Sequence, residues 1–327
     1  MRVAILQASH WHYDLYEPGL IDAGVEVVAV SDRDPTVAEA VAARHGAAAF
    51  ADEAALVARG GFDFAFVFGR PREMPSLAAR LIEHGIPFSL EKPCGRNSGD
   101  VARIRRAAEA RGVFVAVPLI QRIGPVGQLL HEVFDSDEIT SLSFRFIAGP
   151  PGRYRRAGCS WMLDPQESGG GAAINLAVHF VDLAHALTGS RTIGVHGQTG
   201  TMLHGVPVED HAVITMRLES GADVVIEAGY GFPDAASKRD FRFSTIGRRA
   251  YVESIPGGAR ITPRDGTSPR EVAIDFDTDA YYPRYVAQVL EDFSAGRPPL
   301  VGLAEMEATM DVIDAVYSVS RSRPSAA

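Results

Sequence analysis

Ile86-Pro87-Phe88-Ser89-Leu90-Glu91-Lys92-Pro93 is an apolar run of strand length that stops at a proline, with an acid and a lysine at its exit. Proline cannot continue a β-ladder, so the extended segment ends there. In an α/β sheet Glu91 and Lys92 then stand at the carboxyl end of a strand, where such sheets bind ligands. Lys92 is one of only two lysines in 327 residues, and the other thirty basic residues are arginines. A lysine kept against that bias points to a task that a guanidinium performs poorly. An ammonium is a compact point charge whose pKa moves on burial, whereas a guanidinium stays protonated and demands planar partners. The plainer alternative is a surface lysine beside its glutamate neighbour.

Working outward, the first 120 residues alternate strand and helix. Val3–Leu6 reads as strand and Leu15–Ala23 as helix, followed by the mostly apolar strand Val25–Val30. Thr36–Arg44 reads as helix, with Asp34 or Thr36 as its cap. Phe64–Phe68, Leu77–His84, Pro87–Leu90, Ser98–Ala110 and Val113–Val117 continue the series. Near-continuous apolar strands separated by amphipathic helices imply a parallel sheet covered on both faces. The expectation is a doubly wound, dinucleotide-binding domain over residues 1–120.

From residue 121 to 327 the pattern changes. A helix near Val126–Phe134 precedes longer alternating strands at Ile139–Ile147, Ile193–Thr199, Asp210–Glu219, Ala222–Tyr230, Phe241–Ile246, Ala250–Ser254 and Glu271–Asp275. Two helices, Pro283–Ala295 and Leu303–Ser320, close the chain. This reads as a second α/β domain built on a large, mostly antiparallel open sheet, one face polar and one packed on helices. The length suits two domains, and the 46% hydrophobic and 22% charged residues suit a globular enzyme. A net charge of −9 argues against nucleic acid or an anionic membrane as partner. Two cysteines, Cys94 and Cys159, make no disulfide framework, so a reducing cytoplasm is expected. The N-terminal apolar run is too short for a signal peptide or a membrane span.

If the first domain binds a dinucleotide, its first strand-to-helix turn should carry Gly-x-Gly-x-x-Gly. Gln7-Ala8-Ser9-His10-Trp11-His12 has none of the three glycines. The N–H groups of Ala8, Ser9, His10, Trp11 and His12 remain candidates for holding phosphate at a helix N-terminus. Asp32, at the exit of the second strand, is placed to accept from the ribose hydroxyls. Its neighbour Arg33 leaves NADP open, but a carboxylate would repel a 2′-phosphate, so NAD is favoured. His10 and His12 at spacing two resemble a metal pair, yet no further ligands follow in pattern, so no metal is expected. Cys94 has no base nearby in sequence and reads as a bystander.

The strongest constellation is Ser168-Gly169-Gly170-Gly171-Ala172-Ala173-Ile174-Asn175-Leu176-Ala177-Val178-His179-Phe180-Val181-Asp182. Three glycines allow backbone to approach a ligand closely, and a helix starts behind them. Asn175, His179 and Asp182 are spaced i, i+4, i+7 and line one face of it. A histidine between an amide and a carboxylate suits a general base; a satisfied core histidine is the alternative. Arg153, Arg155 and Arg156 form a basic loop upstream that is either solvated or a clamp for an anionic substrate. Arg153 is the candidate substrate contact among them.

Taken together, these features resemble the glucose–fructose oxidoreductase / inositol dehydrogenase (Gfo/Idh/MocA) family over nearly the whole chain. Glu91-Lys92-Pro93 matches its Glu-Lys-Pro, Arg122-Ile123-Gly124-Pro125 its arginine-proline segment, and Gly169–Gly171 through Asn175, His179 and Asp182 its glycine-histidine helix. The linker Phe293-Ser294-Ala295-Gly296-Arg297-Pro298-Pro299 is similar as well. The resemblance implies hydride exchange between NAD(P) and a hydroxyl-bearing carbon of a sugar, polyol or related molecule. It implies that Lys92 holds the reacting oxygen and His179 moves its proton, with Asn175 beside them and Glu91, Lys92 and Arg122 near the cofactor. It also implies a homodimer or homotetramer formed through the open sheet. Three segments depart from the family: the glycine-less first turn, Asn175 where the family has aspartate, and Phe68-Gly69-Arg70-Pro71-Arg72-Glu73-Met74 in place of Ala-Thr-Pro-x-x-x-His. Asp182 is the candidate to orient His179 in place of that aspartate. These departures keep two other readings open: glycoside cleavage by transient oxidation with a tightly held NAD, and a ligand-binding relative that has lost the cofactor.

Overall fold

A computed structural model describes residues 1–233 and 239–321 of the chain. They form two compact units that interleave along the sequence. The first comprises Met1–Pro118, Tyr154–Gly169 and Asp279–Glu307; the second comprises Leu119–Arg153, Gly170–Thr278 and the chain from Ala308. The units are thus not the contiguous blocks 1–120 and 121–327, because two later segments group with the N-terminal sheet.

The first unit holds six parallel strands: β1 (Arg2–Leu6), β2 (Glu26–Ser31), β3 (Ala48–Phe50), β4 (Phe64–Val67), β5 (Phe88–Leu90) and β6 (Val115–Ala116). Their order is β3-β2-β1-β4-β5-β6, the doubly wound arrangement, and it reverses direction between β1 and β4. Every residue of β4 and β5 is buried, as continuous apolar runs require in a sheet covered on both faces. The intervening helices start where capping chemistry places them. Asp34 accepts the Thr36 N–H before helix Pro35–His45, and Asn97 accepts the Asp100 N–H before helix Ser98–Arg111. β3 and the following helix Glu53–Arg59 escape the sequence reading, because three residues and two turns are too short to show a period. Helix Tyr281–Ser294 belongs here because it lies against helix Tyr13–Asp22. A Cβ on Gly19 would stand 2.8 Å from the Pro283 Cα.

The second unit is an eight-stranded sheet of β7 (Ile139–Ala148), β8 (Thr192–Gly200), β9 (His211–Leu218), β10 (Asp223–Gly229), β11 (Arg239–Gly247), β12 (Ala250–Ile255), β13 (Gly258–Pro263) and β14 (Arg270–Ala273). The order is β14-β13-β12-β11-β7-β10-β9-β8. β7 and β10 run parallel and the other neighbours antiparallel. β9 alternates exposed and buried residues along its whole length, so the sheet buries one face. On that face Phe180, from helix Val178–Thr188, meets Phe144, Phe146 and Phe241 with ring centroids 5.2–5.5 Å apart. The sheet's exposed large apolar residues among those described are Ile193, Val213, Val225 and Ile246, and the rest of its exposed positions are polar or small.

Candidate active site

Behind β1 the chain turns at Gln7, whose φ of +61° lies in the left-handed region that a glycine would occupy without strain. The amide hydrogens of the turn are spent within the protein. Those of Gln7 and Ala8 go to the Ser31 carbonyl at 2.7 and 3.3 Å, and that of His10 to the Gln7 carbonyl at 3.4 Å. Ser9 donates to Asp32 Oδ2 at 2.6 Å, and His12 to His10 Nδ1 at 3.1 Å. The Trp11 N–H falls on the Cys159 sulfur, which in turn donates to the Ser9 carbonyl at 3.5 Å. Asp32 takes its second hydrogen bond from the Asp34 N–H at 2.9 Å and has no exposed surface. The side chains fill what glycines would leave open. His10 packs on Trp161 with centroids 5.4 Å apart, and Trp11 meets the edge of Tyr154 at 5.8 Å. Burial holds the His10 pKa down to about 3; the charges of His12 and Lys92 act the same way and Glu91 opposes them.

Each Asp32 oxygen thus takes one backbone hydrogen bond, which holds the carboxylate at the exit of β2 and leaves a further lone pair on each oxygen. Arg33 is held by Glu73, with one contact at 3.0 Å, and reaches Gln7 Oε1 at 3.1 Å.

At the exit of β5, Glu91 is enclosed. Its carboxylate accepts from Tyr16 at 2.8 Å and pairs with His12 Nδ1 at 2.9 Å. The other nitrogen of His12 meets the Tyr282 hydroxyl at 3.1 Å. Burial raises the Glu91 pKa against the opposing charges of His10 and Lys92. Lys92 is buried, 6% exposed, and its peptide bond to Pro93 is cis. The bland reading of Lys92 as a solvated surface residue does not hold. Both imidazole nitrogens of His12 are engaged with protein groups, and no cluster of three His, Cys, Asp or Glu suited to a metal occurs among the described residues. The Cys94 thiol is buried, donates to the Leu90 carbonyl at 3.6 Å, and is pushed to high pKa by burial, as an inert thiol is.

In the second unit the glycine-led helix is continuous but wide at its start, with π-helical turns over Ala173–Ala177. Such widened turns recur at functional sites. Asn175, His179 and Asp182 are all buried along it. Asn175 Nδ2 donates to the Tyr230 hydroxyl at 3.0 Å, and the Arg153 guanidinium lies 5.8 Å from the Tyr230 ring centroid. Asp182 accepts two hydrogen bonds from Arg122, at 2.8 and 2.6 Å, an ion pair with Asp182 1% exposed. The planar fork of a guanidinium suits a buried carboxylate.

The close backbone approach that the triple glycine permits is to the protein itself. A Cβ on Gly171 would stand 2.1 Å from the Glu209 carbonyl oxygen, and one on Gly170 would meet the Tyr317 hydroxyl. Glu209 caps this helix start, accepting from the Ala173 N–H at 3.0 Å and the Tyr317 hydroxyl at 2.7 Å. Sequence reading missed Tyr230 because it ends a strand as one more apolar position, and missed Glu209 because it precedes β9 in a loop.

A dinucleotide on the first sheet needs anion donors at the β1–β4 crevice and a polar group for the ribose. The backbone donors of the first turn are spent, but Asp32, Arg33 and the guanidinium of Arg70, beyond β4, supply the required chemistry. Arg70 Nη1 and Arg72 Nη1 grip one carboxylate, that of Glu167, at 3.3 and 2.8 Å. These guanidiniums already hold one anionic group, which is the chemistry that a dinucleotide's phosphates would need from side chains in place of glycine amides.

A sequence model of the family described as "Oxidoreductase family, NAD-binding Rossmann fold" matches residues 2–119, and the "GFO/IDH/MocA C-terminal domain" matches residues 137–253. The chain is 30% identical over 202 residues to a putative UDP-kanosamine synthase oxidoreductase subunit of Amycolatopsis mediterranei, covering 60% of this chain and 55% of that protein. It therefore spans little more than half of that relative. It is 24% identical over 217 residues to D-apiose dehydrogenase of Rhizobium rhizogenes, covering 63% and 59% of the two chains. Among solved structures, an oxidoreductase from Agrobacterium radiobacter in complex with NAD+, L-tartaric acid and magnesium superposes with a TM-score of 0.86. At 18% identity, and with 98% of this chain and 96% of that one covered, the likeness establishes the fold.

Proposed function

The chain belongs to the NAD-binding GFO/IDH/MocA oxidoreductase family, and we propose that it is an NAD-dependent dehydrogenase or reductase of a sugar-like alcohol or ketone. The observation that carries this reading is Lys92, a buried ammonium at the exit of β5 in a chain with thirty arginines and one other lysine. The relatives named as a UDP-kanosamine synthase oxidoreductase subunit and as D-apiose dehydrogenase support a carbohydrate substrate. When bound, NAD accepts or returns the hydride at the hydroxyl-bearing carbon. Lys92 holds the hydroxyl oxygen and stabilises negative charge that develops on it. His179 takes the hydroxyl proton in oxidation and returns it in reduction. Asn175, fixed by Tyr230, donates or accepts hydrogen bonds with substrate hydroxyls, and Arg153 is the contact for any acidic substituent. Asp32 and Arg33 serve the adenosine end, where the carboxylate favours NAD over NADP. Arg122 keeps the helix of His179 in place through Asp182. A homodimer or homotetramer through the polar face of the eight-stranded sheet, in the cytoplasm, completes the proposal.

The test is calorimetric titration of the purified protein with NAD+, NADH and their phosphorylated forms, followed by a panel of sugars, polyols and sugar acids. Micromolar NAD(H) binding and turnover that Lys92→Met lowers by 10²-fold or more, with cofactor binding retained, is expected. The filled first turn favours a second reading, a ligand-binding relative without turnover. Absence of binding by any nicotinamide dinucleotide would establish that reading and remove the dehydrogenase.

A further inference from the structure

The first turn has lost its glycines and spent its amides, yet the crevice beside it is rich in guanidinium. In an open α/β sheet, ligands lie outside the carboxyl ends of the strands where the strand order reverses. Here that point falls between β1 and β4. The turn Gln7–His12 leaves β1, and Arg70 leaves β4 two residues after Phe68, so both open on the same crevice. Segment Tyr154–Gly169 covers it, and three contacts show how. The Cys159 thiol donates to the Ser9 carbonyl of the turn at 3.5 Å. Trp161 of the segment packs on His10 of the turn with centroids 5.4 Å apart, and six residues further on Glu167 Oε2 meets Arg70 Nη1 at 3.3 Å. The Glu167 carboxylate sits on Arg70 and Arg72, and its pKa is lowered by those two hydrogen-bonded charges. A carboxylate and a phosphate present the same planar pair of oxygens to a guanidinium.

We propose that Arg70 is the pyrophosphate-binding residue of the dinucleotide site and that Glu167 occupies it as an internal counter-ion until the dinucleotide enters. This rests on the NAD-dependent reading and assigns to one side chain the task that glycine amides perform elsewhere. Arg72, 60% exposed at its side chain, is the outer partner of Glu167 and contributes little to the phosphate. Dinucleotide entry exchanges one anion for another on Arg70, and segment Tyr154–Gly169 gives up Glu167 and the thiol contact in the process.

The experiment titrates NADH and ADP-ribose into the wild-type protein and into Arg70→Met, Arg70→Lys, Arg72→Met and Glu167→Gln. Binding is read by calorimetry and by the emission of the chain's two tryptophans, Trp11 within the turn and Trp161 packed on its His10. Arg70→Met should weaken both ligands by about tenfold to a hundredfold, the usual range for a lost charge-assisted hydrogen bond. Arg70→Lys keeps the charge without the fork and should recover part of the loss. Glu167→Gln should tighten binding several-fold, and Arg72→Met should change it less than threefold. ADP-ribose must follow NADH, because the contact is to phosphate and not to nicotinamide. Wild-type binding with an unchanged Arg70→Met overturns this inference alone and leaves the dehydrogenase standing. Weaker binding in Glu167→Gln overturns the counter-ion role. Failure of the wild-type protein to bind either ligand removes the inference together with the reading beneath it. Were Arg70→Met to misfold, the opposite directions expected of Arg70→Lys and Glu167→Gln still decide the matter.

Discussion

His10→Asn should flatten the acid limb of the stability curve. The His10 imidazole is buried, its Nδ1 accepts the His12 N–H at 3.1 Å, and burial lowers its pKa from 6.5 to about 3. Protonation would both charge a buried ring and destroy that acceptor, so the folded state keeps it neutral. The unfolded chain protonates it as soon as the pH drops below 6.5. A base whose folded pKa is depressed contributes stability above its unfolded pKa, and that stability is lost as the pH falls from 6.5 toward 3. The slope approaches one proton, or about 1.4 kcal/mol per pH unit, so roughly 2 kcal/mol is lost by pH 5. Asparagine places an amide oxygen near the position of Nδ1 and does not titrate, which keeps the hydrogen bond and removes the proton. Urea unfolding at pH 7.5 and pH 5.0, followed by tryptophan emission, reads the first unit, because Trp11 and Trp161 both lie there. Wild type should lose about 2 kcal/mol more than His10→Asn between the two pH values. The other depressed histidines, His131 and His185, both lowered by burial and by Arg122 and the latter to about 4, belong to both proteins and cancel in the difference. Equal losses in the two proteins would refute the account.

Two further outcomes concern the second unit. Gly171→Ala pushes a methyl to 2.1 Å from the Glu209 carbonyl oxygen, where only backbone movement relieves it. It should cost about 1–3 kcal/mol or more by overpacking, visible as a lower Tm, while Gly200→Ala, with nothing within 4 Å, serves as control. Asp182→Asn leaves the Arg122 guanidinium, 16% exposed at its side chain, without its carboxylate. Breaking a buried pair costs about 3–5 kcal/mol, and because Arg122 retains some solvent the lower end is expected in denaturant melts. A loss under 1 kcal/mol would show that Arg122 finds another partner or water.

The architecture was legible because it depends on local periods. Apolar runs of four to six residues between amphipathic helices specify a covered parallel sheet, and strict alternation such as that of β9 specifies a sheet with one wet face. Asp34 was readable as a cap for the same reason: its partner, the Thr36 N–H, is two residues away. β13 was missed because Gly258-Ala259-Arg260-Ile261 reads as a turn followed by too short a run. The interleaving of the two units was hidden because the grouping of Tyr154–Gly169 and Asp279–Glu307 rests on contacts with residues far away in the chain.

By itself the sequence determined the two sheets, the placement of Lys92 at a strand exit, the loss of the phosphate glycines, and the spacing of Asn175, His179 and Asp182 along one helix. Each follows from residue type and short spacing. Only the tertiary structure decided whom the buried charges hold. Asp32 serves the Ser9 amide 23 residues away, Glu91 serves His12 and Tyr16 more than 70 residues away, and Asp182 serves Arg122 at a separation of 60. Burial is written locally, because it depends on periodicity. The partner of a buried charge is chosen by whichever donors the fold brings within about 3 Å, and spacing along the chain carries no record of that choice.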